Sequence, residues 1–504
     1  MVLPVHRRIA DIARAEPGRP ALIGFDADLA EQTLTWGELA GSVEEAVAAL
    51  RAALDPDVPS CVVVEAANTL AAATGLAAAL AAEVPVFPLN PATPAAERDV
   101  LLGLLGRRYR HVHLVDVGNR PGPAIVSAAL PSTTLPSTTL PSTTRPPAGN
   151  GAVAYLLATG ASSGVPKVSA RPGPLRYDPA LTPSLVIRQT GWRTGQRQLI
   201  VGPLYHAAPF TAFVDALLDL NTVVLQPFFS ARWTVDLVRQ HRIEWVQLTP
   251  THMREILALA DADPGAFDSL RALLHTAAAC DADTKRGWID LLGPERVFEL
   301  YGATEGIGVT LARGDEWLAR PGTVGRGVLT QLRVLDDDGA PVAPGEVGTV
   351  FMRTPRRVAR SDYVNDQVVR TTPDGFATVG DRGRLDRDGY LYLAPRDHGT
   401  INVGGEKVDP SEVEAALLAH PAVVDAVALA VPHRTLGSVV GVQVVLRPEV
   451  SVRKADLAAH CGRRLAGFKI PKHFAFVDRL PRSAAGKIQR WRLAADHEGG
   501  APTP

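Results

Sequence analysis

The chain has 504 residues, of which 46% are apolar and 21% are charged, and its formal net charge is −1. This length predicts at least two domains, because a single hydrophobic core stops growing at roughly 250–300 residues. The near-zero charge excludes a basic nucleic-acid surface and a polybasic membrane anchor. We therefore expect a globular protein without nucleic-acid or membrane partners, as a monomer or homodimer.

Cysteine usage and the N-terminus indicate the compartment. Cys61, Cys280 and Cys461 are too few and too far apart for a disulfide framework or a zinc site, which favours a reducing cytoplasm. Residues 1–16 carry charge throughout and contain no apolar signal core. The alanine-rich run over 66–89 predicts a buried helix followed by a strand, and not a transmembrane span.

The first half of the chain alternates helical and strand patterns. Apolar periodicity predicts helices over 35–50 and 70–82, with strands over 60–64, 84–89 and 112–115. This alternation predicts a layered α/β sheet.

A repeat interrupts the pattern at 130–147. Leu-Pro-Ser-Thr-Thr occurs three times in succession and is followed by Arg-Pro-Pro. Proline at every fifth position prevents a helix or a strand ladder, so we expect an extended linker or a mobile surface loop. A neutral expanded loop is favoured over a partner-binding segment.

A glycine- and hydroxyl-rich loop follows an apolar strand that contains Tyr155. It runs from Thr159 to Lys167 and offers close backbone approach, hydroxyl donors and one positive charge, which suits a triphosphate. The spacing is not that of a Walker loop. Pro166, Pro172 and Pro174 predict a strand–loop–strand hairpin and not a helix N-terminus. The competing interpretation is a Ser/Gly-rich surface turn.

The α/β pattern then resumes and later becomes β-rich. The predicted strands are 199–202, 222–225, 245–248 and 297–300, and the predicted helices are 210–218 and 233–241. From Gln331 onward, alternating strands are separated by turn signals at Asp338-Gly339 and Asp388-Gly389.

The sequence changes character again after Arg396-Asp397. Asp409-Pro410-Ser411-Glu412 is a typical helix start, with an acceptor cap, proline in the first turn and glutamate three residues on. The predicted elements are helices over 412–420 and 454–465 and strands over 423–431, 439–446 and 473–477. We therefore expect an N-terminal domain over 1–395, a hinge at 396–397 and a small α+β domain over 398–504.

Two segments carry groups suited to a nucleotide. In the run from Tyr301 to Gly306, the tyrosine could stack on a base, Thr304 could donate to a phosphate and Glu305 could hold Mg²⁺ as a hard oxygen ligand. Asp381 follows a predicted strand end, where its carboxylate could accept from both ribose hydroxyls. Taken alone, each segment is more commonly a simple turn.

Three further segments supply an organic pocket, a hinge and a cation. His206, beside the helix predicted over 210–218, could form part of the wall of a substrate pocket, although a single histidine is more often structural. Arg396-Asp397 suits a hinge, and Gly404-Gly405 permits close approach of a thin ligand. Lys487 follows a glycine on a flexible loop and could reach across a cleft, although a solvated lysine is the default reading.

In this order and spacing, the segments resemble the ANL superfamily of adenylate-forming enzymes. The resemblance runs from Leu34-Thr35-Trp36 to Arg490, and the segments 316–326, 389–393 and 404–414 are similar to the acyl- and aryl-CoA ligase branch. It implies a large N-terminal domain of layered α/β subdomains plus a β-rich subdomain. It also implies a small mobile C-terminal α+β domain that acts as a lid.

The resemblance implies a role for each matching position. The positions for ATP and AMP are Thr159, Ser162, Ser163, Gly164, Lys167, Ala278, Ala279, Glu299, Leu300, Tyr301, Gly302, Asp381 and Arg396. Lys487, Thr304 and His206 would be catalytic, and Glu305 would hold Mg²⁺. Tyr205, His206, Phe210 and Ala277 would line the acid pocket, Asp397 would be the hinge, and Gly404 and Gly405 would line the channel for the second substrate.

The implied reaction is ATP-dependent adenylation of a carboxylic acid, with release of pyrophosphate and transfer of the acyl group to CoA. Aromatic and imidazole side chains indicate an aromatic or heteroaromatic acid; they are Tyr205, His206, Phe210, Phe213 and Trp245. An aliphatic acid of medium length stays open, because similarity of fold does not determine pocket shape.

Three alternatives concern the acceptor and the activity. The acyl group could pass directly to an amine, as in amide bond synthetases. The chain is rich in proline, alanine and arginine, a composition typical of secondary metabolism, and this favours an amine acceptor. A carrier-protein acceptor would have to act in trans. A non-catalytic nucleotide-binding relative is disfavoured, because Lys487, Glu305, Asp381 and Arg396 are all retained.

Overall fold

The computed structural model describes residues 2–93, 95–115, 153–159, 167–260, 263–355, 362–364, 369–394, 401–403, 406–433, 436–465, 467–482, 488 and 493. The proline/threonine-rich segment predicted as a loop over 130–147 lies outside them. The described residues belong to two compact units: Met1–Gly345, Thr349–Gly380 and Leu385–Tyr392 in the first, and Glu346–Gly348, Asp381–Arg384 and Leu393–Pro504 in the second. The predicted domain limits and hinge stay predictions.

The helices are α1 (Val5–Ala15), α2 (Trp36–Ala53), α3 (Leu70–Ala81), α4 (Ala95–Gly106), α5 (Leu185–Arg188), α6 (Ala207–Leu218), α7 (Ala231–Gln240), α8 (Pro250–Ala260), α9 (Ala282–Leu292), α10 (Gly314–Ala319), α11 (Pro410–Leu418) and α12 (Lys454–Gly462). Short 3₁₀-helices lie at Pro264–Phe267, Pro294–Arg296 and Gly467–Lys469.

The strands of the first half are β1 (Leu3–Pro4), β2 (Pro20–Phe25), β3 (Glu31–Thr35), β4 (Ser60–Glu65), β5 (Val86–Leu89), β6 (His111–Val115), β7 (Val153–Thr159), β8 (Lys167–Pro172), β9 (Arg176–Tyr177), β10 (Arg197–Ile200), β11 (Thr222–Leu225) and β12 (Trp245–Leu248). Those that follow are β13 (Ala272–His275), β14 (Val297–Gly302), β15 (Val309–Arg313), β16 (Arg326–Gly327), β17 (Gln331–Leu335), β18 (Gly348–Arg353), β19 (Asp362–Tyr363), β20 (Arg370–Thr371), β21 (Ala377–Thr378), β22 (Arg382–Leu385), β23 (Leu391–Leu393), β24 (Ile401–Val403), β25 (Glu406–Val408), β26 (Val423–His433), β27 (Gly437–Leu446) and β28 (His473–Phe476).

The first unit contains a nine-stranded sheet in the order β16-β15-β14-β13-β12-β10-β11-β2-β3. The six strands from β14 to β2 in this order are parallel, and antiparallel strands complete both edges. Strands such as Thr222–Leu225 are fully buried because helices cover both faces. In open α/β sheets of this kind, ligands bind at the carboxyl ends of the parallel strands.

A second sheet of the first unit has the order β19-β8-β7-β5-β4-β6. β6, β4, β5 and β7 are parallel, and β8 turns back antiparallel to β7. Thr159 and Lys167 are the last pair of this ladder before the loop. The strand–loop–strand hairpin predicted from the prolines is therefore confirmed.

The alanine-rich segment forms helix α3, which is almost entirely buried. It packs in one core with α1, α2 and α6, where its small side chains let neighbouring backbones approach closely. Helix α2 begins at a capping box, in which Thr35 and Glu38 satisfy each other's backbone N–H groups. None of the helices in the described part of the chain combines the length and apolarity needed to cross a bilayer.

The β-rich region predicted from Gln331 onward is confirmed. β18 pairs with β17 and with β21, which in turn pairs with β20. Both predicted turns have their glycine in the left-handed region, with φ 83° at Gly339 and 81° at Gly389.

The second unit contains a five-stranded sheet, in which β25, β24, β27 and β26 are neighbours and β28 pairs with β27. Its core joins this sheet to α11 and α12. The predicted cap of α11 is confirmed, because the Asp409 side chain accepts from the Ser411 N–H at 2.8 Å.

One shift from the predicted boundaries precedes α6. The strand expected over 199–202 is Arg197–Ile200, and the helix expected from Phe210 begins at Ala207. Pro209 lies in the first helical turn, where a missing N–H costs nothing, so it does not delay the helix.

Candidate active site

Two neighbouring strands bring the predicted adenine-binding segments together. β13 and β14 are parallel, with His275 paired to Glu299, and both carboxyl ends lie at one edge of the nine-stranded sheet. The chain continues from β13 into Ala277–Ala279, which is exposed. It continues from β14 into the turn that carries Thr304 and Glu305. The fold thus places these predicted groups at the edge where α/β sheets bind ligands.

Ala277 has a strained backbone at this edge. Its φ is +79°, in the left-handed region that a side chain with a Cβ disfavours. Such a conformation costs on the order of 1 kcal/mol or more and persists only where the surroundings fix it. Ala277 was predicted to line the acid pocket, and its methyl group is held on the exposed loop.

The carboxylate of Glu299, which was predicted to contribute to the nucleotide site, is buried. Lys285 of α9 donates a hydrogen bond to it, and the side chains of Lys285 and Glu299 are 1% and 8% exposed. Burial raises the pKa of Glu299, and the Lys285 cation opposes that rise. Lys285 has no sequence signal of its own, because its partner lies on a strand fourteen positions later.

His275 completes this buried group. Neither of its ring nitrogens has a hydrogen-bond partner among the described residues, and the ring is fully buried. Burial lowers the pKa of His275 well below its ordinary value, and the charge of Lys285 lowers it further. The imidazole is therefore neutral at physiological pH.

The turn after β14 is joined to the phosphate-loop hairpin. The Ser169 hydroxyl of β8 donates to the Thr304 carbonyl at 3.4 Å, and the Tyr363 hydroxyl of β19 donates to the Glu305 carboxylate. Lys167 places its Nζ 5.5 Å from the centroid of the Tyr363 ring. Lys167, Thr304 and Glu305, predicted from separate motifs, therefore lie in one cluster. Tyr363 was not predicted.

The donor chemistry of this cluster suits Mg²⁺. Glu305 is buried, and its Oε2 accepts no hydrogen bond within the described part of the chain, so one hard oxygen is available to a cation. Across the described ranges, no group of three or more His, Cys, Asp or Glu side chains is arranged to hold a metal ion. Mg²⁺ is commonly bound by one or two carboxylates with substrate phosphates and water, which matches this set.

The residues predicted to line the acid pocket include members of two aromatic pairs. The rings of Tyr205 and His206 are 4.8 Å apart, and His206 is the N-cap of α6. Phe210 packs edge-on against Tyr155 of β7, with centroids 5.0 Å apart. Burial raises the pKa of Tyr205 to about 12, so the phenol stays neutral at physiological pH. Tyr155 is an aromatic contact that had no predicted role.

Asn68 anchors the loop that carries Tyr205 and His206. Its side-chain amide donates to the carbonyls of Gly202 at 3.1 Å and Gln226 at 2.9 Å, and its oxygen accepts from the Leu204 N–H at 3.0 Å. The amide is buried, so these bonds fix the loop after β10 against the strand that follows α6. Asn68 lies more than 130 positions before the loop, and nothing in the local sequence marks it.

Two aromatic residues used to infer an aromatic acid belong to the core instead. Phe213 is fully buried in α6. Trp245 is the first residue of β12, at the opposite end of the strand from the ligand edge, and its Nε1–H donates to the Thr190 carbonyl at 3.2 Å. Phe210, which was predicted to line the acid pocket, is also fully buried, so the pocket inference depends on Tyr205 and His206.

The remaining predicted residues are placed in part. Asp381 is buried and directly precedes β22, in the second compact unit. Leu300, Tyr301 and Gly302 are the last residues of β14. Outside the described residues lie Ser162, Ser163, Gly164, Arg396, Asp397, Gly404, Gly405 and Lys487, and the Thr159 side chain is not described either.

Comparison with known families identifies the class of protein. Residues 9–361 match the family described as AMP-binding enzyme, and residues 412–487 match the AMP-binding enzyme C-terminal domain. The chain therefore belongs to the AMP-binding enzymes, the adenylate-forming ANL superfamily that its motifs resemble.

Curated relatives include two CoA ligases. Sulfoacetate–CoA ligase from Cupriavidus necator is 33% identical over 301 residues, which are 59% of this chain and 58% of that protein. 2-Succinylbenzoate–CoA ligase from Bacillus velezensis is 31% identical over 341 residues, 68% of each chain.

Solved structures share the fold over nearly the whole chain. o-Succinylbenzoate CoA synthetase from Bacillus subtilis, bound to its acyl-adenylate intermediate, has a TM-score of 0.75 at 24% identity and covers 100% of this chain and 99% of its own. The amide bond synthetase McbA from Marinactinospora thermotolerans has a TM-score of 0.71 at 22% identity, with 98% and 99% covered. The predicted α/β fold class is confirmed.

Proposed function

We propose that this chain is an ATP-dependent ligase that converts a carboxylic acid to an acyl-adenylate and transfers the acyl group to CoA. The observation that carries the proposal is the junction of Lys167, Thr304 and Glu305, which joins the phosphate-loop hairpin to the carboxyl end of β14. Membership of the AMP-binding family supports ATP as the nucleotide.

The adenylation step follows from electrostatics. A substrate carboxylate must attack an α-phosphorus that is itself anionic, so like charges repel. Lys487 would neutralise the charge that gathers on the pentacoordinate phosphorus and on the departing pyrophosphate, and Thr304 would donate to the α-phosphate. Lys167 and the hydroxyls of the loop would hold the β- and γ-phosphates. Mg²⁺, held by Glu305, would supply Lewis-acid stabilisation of the phosphate oxygens.

We assign the acid to the aromatic or heteroaromatic class. The support is the pair of Tyr205 and His206, which are partly exposed and have ring centroids 4.8 Å apart. Partly exposed aromatic rings can stack or pack edge-on against a planar ligand. The adjacent His206 can donate or accept a hydrogen bond, which suits a carboxylate or a ring heteroatom.

CoA is the proposed acceptor, supported by the CoA ligases among the relatives. Transfer directly to an amine is the competing outcome. Three cysteines without a disulfide partner support a cytoplasmic location.

The test is pyrophosphate release across a panel of acids, each assayed with CoA, with simple amines and with neither. We expect that an aromatic acid will cause release of pyrophosphate from ATP and that, with CoA present, its acyl-CoA will form. Formation of an amide without acyl-CoA would reassign the acceptor. Cleavage of ATP to ADP and phosphate would contradict adenylation itself.

A further inference from the structure

Tyr363 belongs to a strand of only two residues that is paired to the phosphate-loop hairpin. β19 lies antiparallel to β8, with Asp362 opposite Ala170 and Tyr363 opposite Ser169. Lys167 lies two positions before Ser169, so both project from the same face of β8. The strand pairing therefore fixes Tyr363 at the base of the loop predicted to hold the β- and γ-phosphates.

From this position Tyr363 reaches the carboxylate predicted to bind Mg²⁺. Its phenol donates to Oε1 of Glu305, and the Glu305 side chain is buried. The backbone beside Glu305 is held independently, because Ser169 donates to the Thr304 carbonyl at 3.4 Å. One face of β8 and β19 thus supports both the backbone and the side chain of the Thr304-Glu305 turn.

We propose that Tyr363 is a positioning residue for the carboxylate that would bind Mg²⁺: it holds Oε1 of Glu305 and leaves Oε2 available to the cation that accompanies the nucleotide. This inference depends on the proposed function, since the cation is the Mg²⁺ that accompanies ATP. A carboxylate held by one fixed donor presents one oxygen in one rotamer, so less rotamer entropy is lost when the cation binds.

A carboxylate and a cation lie near Tyr363 among the described residues. The Glu305 carboxylate accepts from its hydroxyl, and the Lys167 Nζ lies 5.5 Å from the centroid of its ring. The hydrogen bond to Glu305 therefore forms beside a cation of the phosphate-loop hairpin.

The test is Tyr363→Phe, which removes one oxygen and keeps the ring. We expect the affinity for Mg²⁺ to fall by roughly 10–100-fold, the usual effect of losing an outer partner of a metal ligand. Calorimetric titration of ATP at a series of Mg²⁺ concentrations measures this without turnover. Binding of ATP in EDTA is expected to be unchanged, which a general loss of structure would not allow.

Tyr390→Phe is a matched control in the same compact unit. The Tyr390 hydroxyl donates to Oε1 of Glu316 at 2.8 Å, so this variant also loses a tyrosine–glutamate hydrogen bond, but outside the proposed site. Its Mg²⁺ dependence is expected to equal that of the wild type. A second test introduces Tyr363→Phe into a Glu305→Gln background. If Tyr363 acts through the carboxylate, the second substitution should lower the affinity for Mg²⁺ by no more than about a further twofold.

An unchanged Mg²⁺ dependence in Tyr363→Phe overturns the inference, as does equal weakening of ATP binding in EDTA. The proposed function fails differently. If the protein binds MgATP and this binding depends on Tyr363 as expected, but no acid leads to pyrophosphate release, the positioning role of Tyr363 stands and the proposed ligase activity is wrong. Absence of nucleotide binding overturns both.

Discussion

At the scale of single residues, Lys285 and Glu299 form the most deeply buried ion pair among the described residues. Both side chains are removed from water, and the lost hydration is compensated by their mutual contact and by the Trp317 ring, whose centroid lies 5.1 Å from the Lys285 Nζ. His275 lies against the same cation as a neutral ring. Glu299 is paired with His275 across β13 and β14, the two strands that lead into the segments predicted to bind adenine.

We predict that Lys285→Met destabilises the fold by roughly 3–5 kcal/mol, because it leaves the Glu299 carboxylate buried without a partner. Loss of the cation raises the pKa of Glu299 further, so the destabilisation is greatest at neutral pH and shrinks as falling pH protonates the carboxyl. Urea unfolding at several pH values measures both effects.

The control for this prediction is Arg453→Met, which removes an exposed pair with Asp456. Exposed pairs contribute at most about 1 kcal/mol. Adding Glu299→Leu to Lys285→Met should restore most of the stability. If Arg453→Met and Lys285→Met lowered the free energy of unfolding by similar amounts, burial of the ion pair would not determine how much it contributes to stability.

The site residues recognised from the sequence are those in short linear motifs. Thr304, Glu305 and Lys167 were identified because their neighbours mark a strand-ending turn and a glycine-rich loop. Tyr363 and Asn68 were missed because their partners are 58 and more than 130 positions away. A hydrogen bond between distant segments leaves no local pattern, so only the fold reveals it.

At the scale of elements, α6 carries both a residue predicted to line the acid pocket, Phe210, and a half-buried carboxyl group. Asp215 of α6 accepts from the Ser184 N–H at 3.4 Å, and burial raises its pKa to about 7. Asp219 raises it further, Arg188 opposes the rise, and Tyr155 faces the same carboxyl. A raised pKa in the folded state means that the native protein binds this proton more tightly than the unfolded chain does.

We predict that stability falls as pH rises between about 4 and about 7, because the unfolded chain releases the Asp215 proton near pH 3.9 and the folded protein near 7. The loss is about 1.4 kcal/mol per pH unit within that window. Asp215→Asn should flatten this dependence and be more stable than the wild type at pH 8.

Urea midpoints at pH 5, 6, 7 and 8 test the prediction, with Asp11→Asn as the control, since Asp11 lies in an exposed pair with Arg14. If the pH profiles of stability were parallel for the wild type and Asp215→Asn, the loss of stability could not be attributed to Asp215.

Elements with a continuous apolar run were predicted with small boundary errors. The fully buried β11 and the alanine-rich α3 are examples, because burial on all sides leaves an uninterrupted apolar run. The two-residue strand β19 was not predicted, because its pairing to β8 supplies nearly all the order of so short a segment. The prolines did predict the hairpin of β7 and β8, since they exclude a helix there.

At the scale of the whole molecule, the proposed two-step reaction requires two different surfaces to meet one acyl-adenylate. In the superfamily that the chain belongs to, rotation of the small domain provides them, and Asp397 stays the predicted hinge. Proline at a hinge fixes φ near −65° and removes one rotation.

We predict that Asp397→Pro retains adenylation and suppresses transfer to the acceptor by at least about tenfold, because adenylation needs one arrangement and transfer needs the other. Single-turnover assays that follow acyl-AMP and final product separately measure the two steps. Equal loss of both steps would count against a hinge at this position.

The central claim is that this chain forms an acyl-adenylate with the help of Lys487. ATP–pyrophosphate exchange with the best aromatic acid tests it most directly, comparing the wild type with Lys487→Ala and with Lys454→Ala, an exposed lysine of α12. We predict that exchange falls by about a hundredfold to a thousandfold in Lys487→Ala and stays at the wild-type rate in Lys454→Ala, while transfer from supplied acyl-AMP persists in both. Exchange at the wild-type rate in Lys487→Ala, or none in the wild type with any acid, would contradict the account.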